Sequence, residues 1–394
     1  MQDSATAAAN AGAWMLDSIQ LPSGGRIKVK YESDDYAFVQ NRRSALMCRI
    51  AGIGSDSVHF SNRLYNFFKG DGLYVYVNVP YAPTSKADLY ARYLDGIGKL
   101  FFRLYIGMPK DDFGSGSDYV PCYADPDVAA GNWYGIVNSH TIWIKVKGVN
   151  AAGDQDGSLS PLAQTAINYL RLNLPSKAYP GSELNDDLTV TDGLKILLSM
   201  LTNIVSLFNG YNNTARGNGW CSVVDTSARS FVRLDDPFLK KLGGGLRVRS
   251  VLIYDNWKNM TKQKQREAVY GQNYDYTTTR SVNGIMTKIS SGVAAWEPSL
   301  GGEENPFHLP IEYLDKVSML APAAMKYSEE PLGESFFPGP TVGYSKVRVR
   351  TIHAANVKSA NGYSESTFYT SYDFPTQWDY TRIDPDTKKD TNRS

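Results

Sequence analysis

The sequence predicts a mainly β protein: antiparallel sheets and hairpins with one helical insertion, arranged as a β-sandwich array or as part of a larger β assembly. Three observations predict it. The run Leu246 to Tyr254, entered through Gly243-Gly244-Gly245 and left through Asp255-Asn256-Trp257, has the β-branched and aromatic content of an interior strand. Segments of strict apolar and polar alternation recur before and after it. Tyrosine is in excess, with 26 among 394 residues beside 7 Trp and 34 Gly, a composition that suits pleated surfaces joined by tight turns.

Leu246 and Val248 share a face of the central run, but the apolar set then passes to Val251 and Ile253. A side-chain period of two tolerates this change only with a bulge or with burial on both faces. The expectation is a kinked central strand, covered on both sides after Ser250.

Before it, Met15 to Leu21 and Arg26 to Tyr31 read as a hairpin about Pro22-Ser23-Gly24-Gly25, with Arg26, Lys28 and Lys30 alternating against Ile27 and Val29. Asp34-Asp35 is positioned to cap a short helix over Tyr36 to Arg43, with Arg42 and Arg43 at its negative end. Strands follow at Leu73–Val79, Leu100–Ile106 and Thr141–Val146. The connections Asp111–Asp118 and Tyr123–Asn132 read as long loops.

Residues 151–220 form the helical insertion between a β-rich region at 1–150 and another at 221–383, with a polar tail at 384–394. Ser160-Pro161 starts a helix that runs to Pro175. A second, nearly all-apolar helix spans Leu194 to Phe208 and closes at Asn209-Gly210. At about fifteen residues it is too short to cross a bilayer, and no other apolar run is longer, so membrane insertion is not expected.

After the central strand, Tyr274–Thr279 and Ile285–Ile289 pair across Ser281 to Gly284. A proline-punctuated path from Gly301 to Pro340 reads as chain laid over a sheet edge. A last hairpin sets Val342–Ile352, with Lys346, Arg348 and Arg350 facing outward, against a return strand carrying Phe368, Thr370, Tyr372 and Phe374.

The chemistry-bearing residues are sparse. With 41 basic and 40 acidic residues the chain has no whole-protein field to attract nucleic acid. Cys48, Cys122 and Cys221 are odd in number and far apart, and read as buried free thiols. No nucleophile elbow, phosphate loop or dinucleotide fingerprint is present. His59, His140, His308 and His353 are isolated, so metal ligation is not expected of them. Asp154-Gln155-Asp156-Gly157 fails the EF-hand pattern, because Ala152 and Ala163 stand where the first and last acids belong. A looser calcium site drawing on Asp111, Asp112 and Asp118 is the one cofactor weighed; otherwise no cofactor is expected. Glu303-Glu304 and Glu329-Glu330 are the carboxylate pairs considered for glycoside hydrolysis. Among the aromatics, Trp133, Trp143, Trp257, Trp296 and Trp378 are candidates for stacking on sugar.

Several blocks carry a resemblance: Leu21-Pro22-Ser23-Gly24-Gly25-Arg26-Ile27-Lys28-Val29, Tyr31 to Tyr36, Lys241 to Val248, Gly301 to Phe307, Glu330 to Pro338, Val342 to Val347 and Phe368 to Pro375. Together they resemble a segment, covering most of residues 15–380, of very large secreted or cell-surface proteins of gliding-type bacteria. Those proteins have an Rhs-like (YD-repeat) character and leave the cell by the type IX route. Tyr254-Asp255 and Tyr274-Asp275 keep the twenty-residue interval of such repeats once, and Ala294 occupies the next place. The resemblance implies part of an Rhs-like β-shell as the alternative to a β-sandwich array, an extracellular or surface location and a structural module, and it supplies no catalytic residues. The N-terminus, with Asp3 ahead of any base, lacks a signal-peptide pattern, which suits a piece of a larger exported chain. The expected function is therefore non-enzymatic scaffolding against neighbouring modules, or glycan binding through exposed aromatics, with a carboxylate-based hydrolase third. The candidate interaction surface is Lys346, Arg348 and Arg350 with Trp257, Trp296 and Trp378.

Overall fold

A computed structural model describes residues 4–66, 70–109, 116–150, 157–178, 204–262, 269–298, 302–312, 327–331, 342–353 and 362–376. Among the described residues the architecture is mainly β, as predicted, with antiparallel sheets, few helices and no closed barrel. The chain divides into two compact units interleaved in sequence: 1–45, 236–308 and 331–377 make one, and 46–235, 309–330 and 378–394 the other.

The second unit is built on a seven-stranded sheet in the spatial order 117–124, 100–107, 231–235, 45–54, 74–78, 141–145, 134–138. Its central logic is alternation: Leu100, Phe102, Leu104 and Ile106 are fully buried, while Arg103 and Tyr105 turn outward. Each such side chain contributes about 1.5–3 kcal/mol through burial. Helix Pro161–Asn173 packs on the edge strand Ser117–Ala124 through Leu162, Ala166, Ile167 and Leu170. Ser160 precedes its first turn, but its hydroxyl makes no cap; its backbone N–H donates instead to Asp71 Oδ2 at 2.6 Å. Asp71 also receives two hydrogen bonds from Arg216, tying helix Ile204–Gly217 to the same corner. All three cysteines are free and buried, and burial pushes the thiols of Cys122 and Cys221 up to about 12.

The first unit carries a six-stranded sheet in the order 18–20, 26–36, 241–254, 269–275, 346–353, 364–367. Beside it lie a four-stranded sheet of 342–344, 292–294, 38–39 and 42–43, and the hairpin 277–282/285–290. The central run is indeed an interior strand, Lys241–Tyr254, and its register against strand Arg26–Tyr36 shifts between Val248 and Ser250, where the side-chain pattern demands it. A second shift falls at Gly243-Gly244-Gly245, all three at positive φ, a backbone that side-chain-bearing residues rarely adopt.

Five expectations are corrected. The helix over Tyr36–Arg43 is absent: Tyr36, Ala37, Phe38 and Val39 are buried in extended chain, Gln40 turns at φ 48°, and Asp34 and Asp35 serve a cation rather than a helix end. Asp118 and Tyr123, read as belonging to loops, lie in strand Ser117–Ala124, paired along its length with Leu100–Gly107. The second helix does not close at Asn209-Gly210; it runs to Gly217, because Asn212 and Ala215 continue its buried face, while 194–203 lie outside the described residues. The return strand of the last hairpin is Ser364–Thr367, and Phe368–Phe374 is a turn in which Asp373 accepts from the backbone and hydroxyl of Thr370. Finally, the central strand is not covered after Ser250: Val251, Leu252, Ile253 and Tyr254 are all half-exposed.

Candidate functional site

That last correction defines the most distinctive surface of the first unit. Pairing in an antiparallel sheet puts opposed residues on one face, so the registers generate complete rows. Ile19, Ile27, Ile253 and Tyr270 form one row, and Val29, Val251, Gln272 and Thr351 the next. Ile27, Val29, Val251 and Ile253 are half-buried, and Ile19 and Tyr270 are exposed. The chain following helix Ser4–Ala11 crosses this face, with Leu16 accepting a hydrogen bond from Tyr31 Oη at 3.0 Å, and it leaves Trp14 98% exposed and Leu16 62% exposed. The outer half of the sheet thus presents an apolar face of a kind that marks contact sites on folded proteins.

The inner half is held by charge. Arg247 donates through Nη1 and Nη2 to the two carboxylate oxygens of Asp35 at 2.8 Å each, through Nε to Glu32 at 2.7 Å, and through Nη1 to Tyr344 Oη at 3.1 Å. Tyr344 in turn donates to Asp34 at 2.5 Å, and Ser290 donates to Asp35. The guanidinium lies 4.5 Å from the ring centroid of Tyr276. Burial works against the charge of Arg247, but the hydrogen bonds and charge of Asp35 hold its pKa above the ordinary value. Burial pushes Asp34 up, against the pull of the Tyr344 hydrogen bond and of Arg247. A second buried cation, Lys241, meets Glu297 at 3.1 Å, Glu304 at 2.5 Å and the Ala45 carbonyl at 2.8 Å. Three acids therefore do converge, on one guanidinium and a neutral phenol that fix them through hydrogen bonds, and Lys240 Nζ lies 3.8 Å from Asp35.

Tyr344 also floors a groove of about 490 Å³ lined by Val293, Ala295, Val347, Phe368, Tyr369 and Thr370. Tyr369 is 82% exposed and its ring lies 5.4 Å from that of Phe374, itself exposed.

In the second unit a concavity of about 510 Å³ is lined by residues of 53–72, including Asp56, His59 and Arg63. His59 Nδ1 sits 3.2 Å from Asp56 Oδ2, and Asp56 is held low by the backbone N–H groups of His59 and Val58. These bonds account for Asp56 as the hub of a turn. The pair was missed in the sequence, where a spacing of three residues in a loop carries no signal.

The residues singled out from the sequence scatter. Lys346 and Arg348 are paired with Glu365 at 3.1 and 2.8 Å, so the cationic row is half-neutralised; Arg350 is exposed. Trp257 is half-exposed beyond the outer end of the central strand, whereas Trp296 is half-buried near Pro298, which packs at Gly243. About 35 Å of strand separates those ends, so the two do not form one platform. Trp378 lies outside the described residues, and Trp133 and Trp143 are buried. Glu304 is engaged by Lys241, and the side chains of Glu329 and Glu330 are outside the description. Asp111, Asp112, Asp154 and Asp156 lie outside it too, while Asp118 accepts from Tyr169 Oη at 3.0 Å. Among the described residues no group of three or more His, Cys, Asp or Glu is placed to hold a metal ion, and no helix is long and apolar enough to cross a membrane.

No family model matches the chain, and neither a curated protein nor a solved structure is similar enough to match it.

Proposed function

We propose that the chain is a non-enzymatic structural module of a large exported surface protein of the Rhs-like, toxin-carrier kind, and that a neighbouring module docks on the open apolar face of its six-stranded sheet. One observation carries the reading: the rows through Ile27 and Val29 leave aliphatic side chains only half-buried on a face that the segment after helix Ser4–Ala11 crosses without covering fully. A sheet face gains stability by burial against a second layer, and burying those side chains supplies the driving force for docking. The converging charged groups, by contrast, hydrogen-bond one another.

The test is Ile27→Glu in the chain joined to its adjoining modules. The isolated variant keeps the denaturation midpoint of the unmodified chain, and the joined variant loses the stabilisation that the neighbours confer. Equal stabilisation of both forms contradicts the proposal.

A second reading, a glycan-binding adhesin module, is favoured by the exposed rings of Phe368, Tyr369 and Phe374 around the groove floored by Tyr344. It replaces the tryptophans of the sequence reading with the 368–374 turn. A glycan array giving no hits, or hits unaffected by Tyr369→Ser, removes it.

A further inference from the structure

The face of the six-stranded sheet opposite the aliphatic rows has a different chemistry. Arg26, Lys28 and Lys30 occupy alternate positions of one strand and so share that face. The registers extend it: Lys30 opposes Ser250, Ser250 opposes Asn273, and Asn273 opposes Arg350. Arg26, Lys30 and Arg350 are exposed, Lys28 is half-exposed, and among the described residues none of the four forms an ion pair. Arg348 and Lys346, further along the same face, share the carboxylate of Glu365, and Asp275 opposes Arg348 in the register. In a chain whose net charge is +1, this gathers uncompensated positive charge on one flat surface, with cations about 6.7 Å apart along a strand.

We propose that this face binds an anionic polysaccharide, a polymer carrying a carboxylate or sulfate at regular intervals along an extended backbone. The rings available here are already covered by cations: Arg26 lies 4.9 Å over Tyr254, and Arg348 lies 4.1 Å over Tyr363. A single-stranded nucleic acid needs a succession of open rings on which its bases stack, and of these two Tyr254 is half-buried, leaving Tyr363 alone exposed. Leu252 and Ile352 are half-buried at the foot of the longer cationic side chains, so the face offers no apolar wedge to acyl chains. An extended sugar polymer requires neither; it needs a flat row of cations with a hydrogen-bonding group between them, which exposed Asn273 supplies, Ser250 being buried in the same row.

The test uses the full chain and sodium alginate oligomers of defined length, titrated by calorimetry at low and physiological salt. Binding is expected, with log K falling linearly against log salt. The variant Lys28→Glu/Lys30→Glu/Arg350→Glu weakens binding at least about tenfold, and the single neutralisations Lys30→Gln and Arg350→Gln each lower the salt slope by about 0.7–0.9. Arg63→Glu, in the other unit, leaves the affinity within about twofold. Circular dichroism and denaturation midpoints confirm that the variants are folded, and the two single neutralisations decide the matter if the triple variant is not. Absence of alginate binding overturns the proposal, as do unchanged affinity and salt slope in the single variants. So does tighter binding to poly(dT) or to phosphatidylglycerol vesicles than to alginate.

Discussion

Arg247 and Asp35 meet through two parallel N–H···O bonds of 2.8 Å, with the guanidinium side chain 9% exposed and the carboxylate 3%. The pair joins adjacent strands at the point where the glycine run Gly243–Gly245 throws the register, so it holds a stretch of sheet in which ladder pairing is interrupted between Leu242 and Leu246. Removing the guanidinium leaves the buried carboxylate with only the exposed Lys240 ammonium, 3.8 Å away, as a cation. Arg247→Leu should therefore destabilise the chain by about 3–5 kcal/mol. Arg247→Lys should recover only part of that, because an ammonium cannot make the bidentate fork. Urea denaturation of both variants checks the order; a lysine variant as stable as the unmodified chain contradicts it.

Asp34 gives the network a pH dependence of defined sign. Its pKa is raised in the folded chain, chiefly by burial, above the ordinary value of 3.8. The stability it contributes is thus fully present below pH 3.8 and is lost as pH rises through the folded value. Asp34→Asn, which keeps an acceptor for the Tyr344 hydroxyl, should be more stable than the unmodified chain at pH 7, and the gain should vanish toward pH 3.5. Denaturation midpoints across that range decide it; a variant less stable at pH 7 is the contrary result.

Two glycines separate close approach from backbone strain. A Cβ on Gly271 would lie 1.9 Å from the Val251 carbonyl oxygen, so the paired strands would have to part. Gly284 sits at φ 76° in the Asn283-Gly284 turn with nothing within 4 Å of an added Cβ. Gly271→Ala should cost about 3 kcal/mol or more through overpacking, and Gly284→Ala about 1–2 kcal/mol through the left-handed backbone alone. Equal losses at the two positions would show that the sheet yields more readily than its geometry implies.

The parts of the fold legible in the sequence are those set by local periodicity. The hairpin at 277–290 was announced by Asn283-Gly284, whose two positive φ angles the structure shows, although Tyr274 and Asp275, expected in its first strand, pair instead with Val349 and Arg348, and Ser281 and Val282, expected in its turn, extend that strand. The kink at Ser250 was announced by the change of parity between Val248 and Val251. The failures have a common cause: the same residues admit two local structures, and distant partners choose between them. Asp34-Asp35 before Tyr36 satisfies the rules for a helix start, but Arg247, more than two hundred positions away, claims Asp35 directly and Asp34 through Tyr344. Gly210 satisfies the rules for a helix end, but the side chains beyond it pack in the core of the second unit. The candidate site was the least legible, because whether Ile27 and Val251 face a second layer or solvent is not encoded in their alternation. The basic side of the same sheet was visible as a period of two, but its extension to Arg350 required the register of four strands.

The central claim is that the outer half of the six-stranded sheet has an incompletely covered apolar face that a neighbour completes, and amide hydrogen exchange read by mass spectrometry tests it most directly. In the isolated chain, peptides covering 26–31 and 250–254 should exchange at least about a hundredfold faster than those covering 100–107, since local stability follows the apolar contacts around each strand. In the chain joined to its adjoining modules the first two should slow while the third does not change. Equal protection of all three segments in the isolated chain would contradict the account.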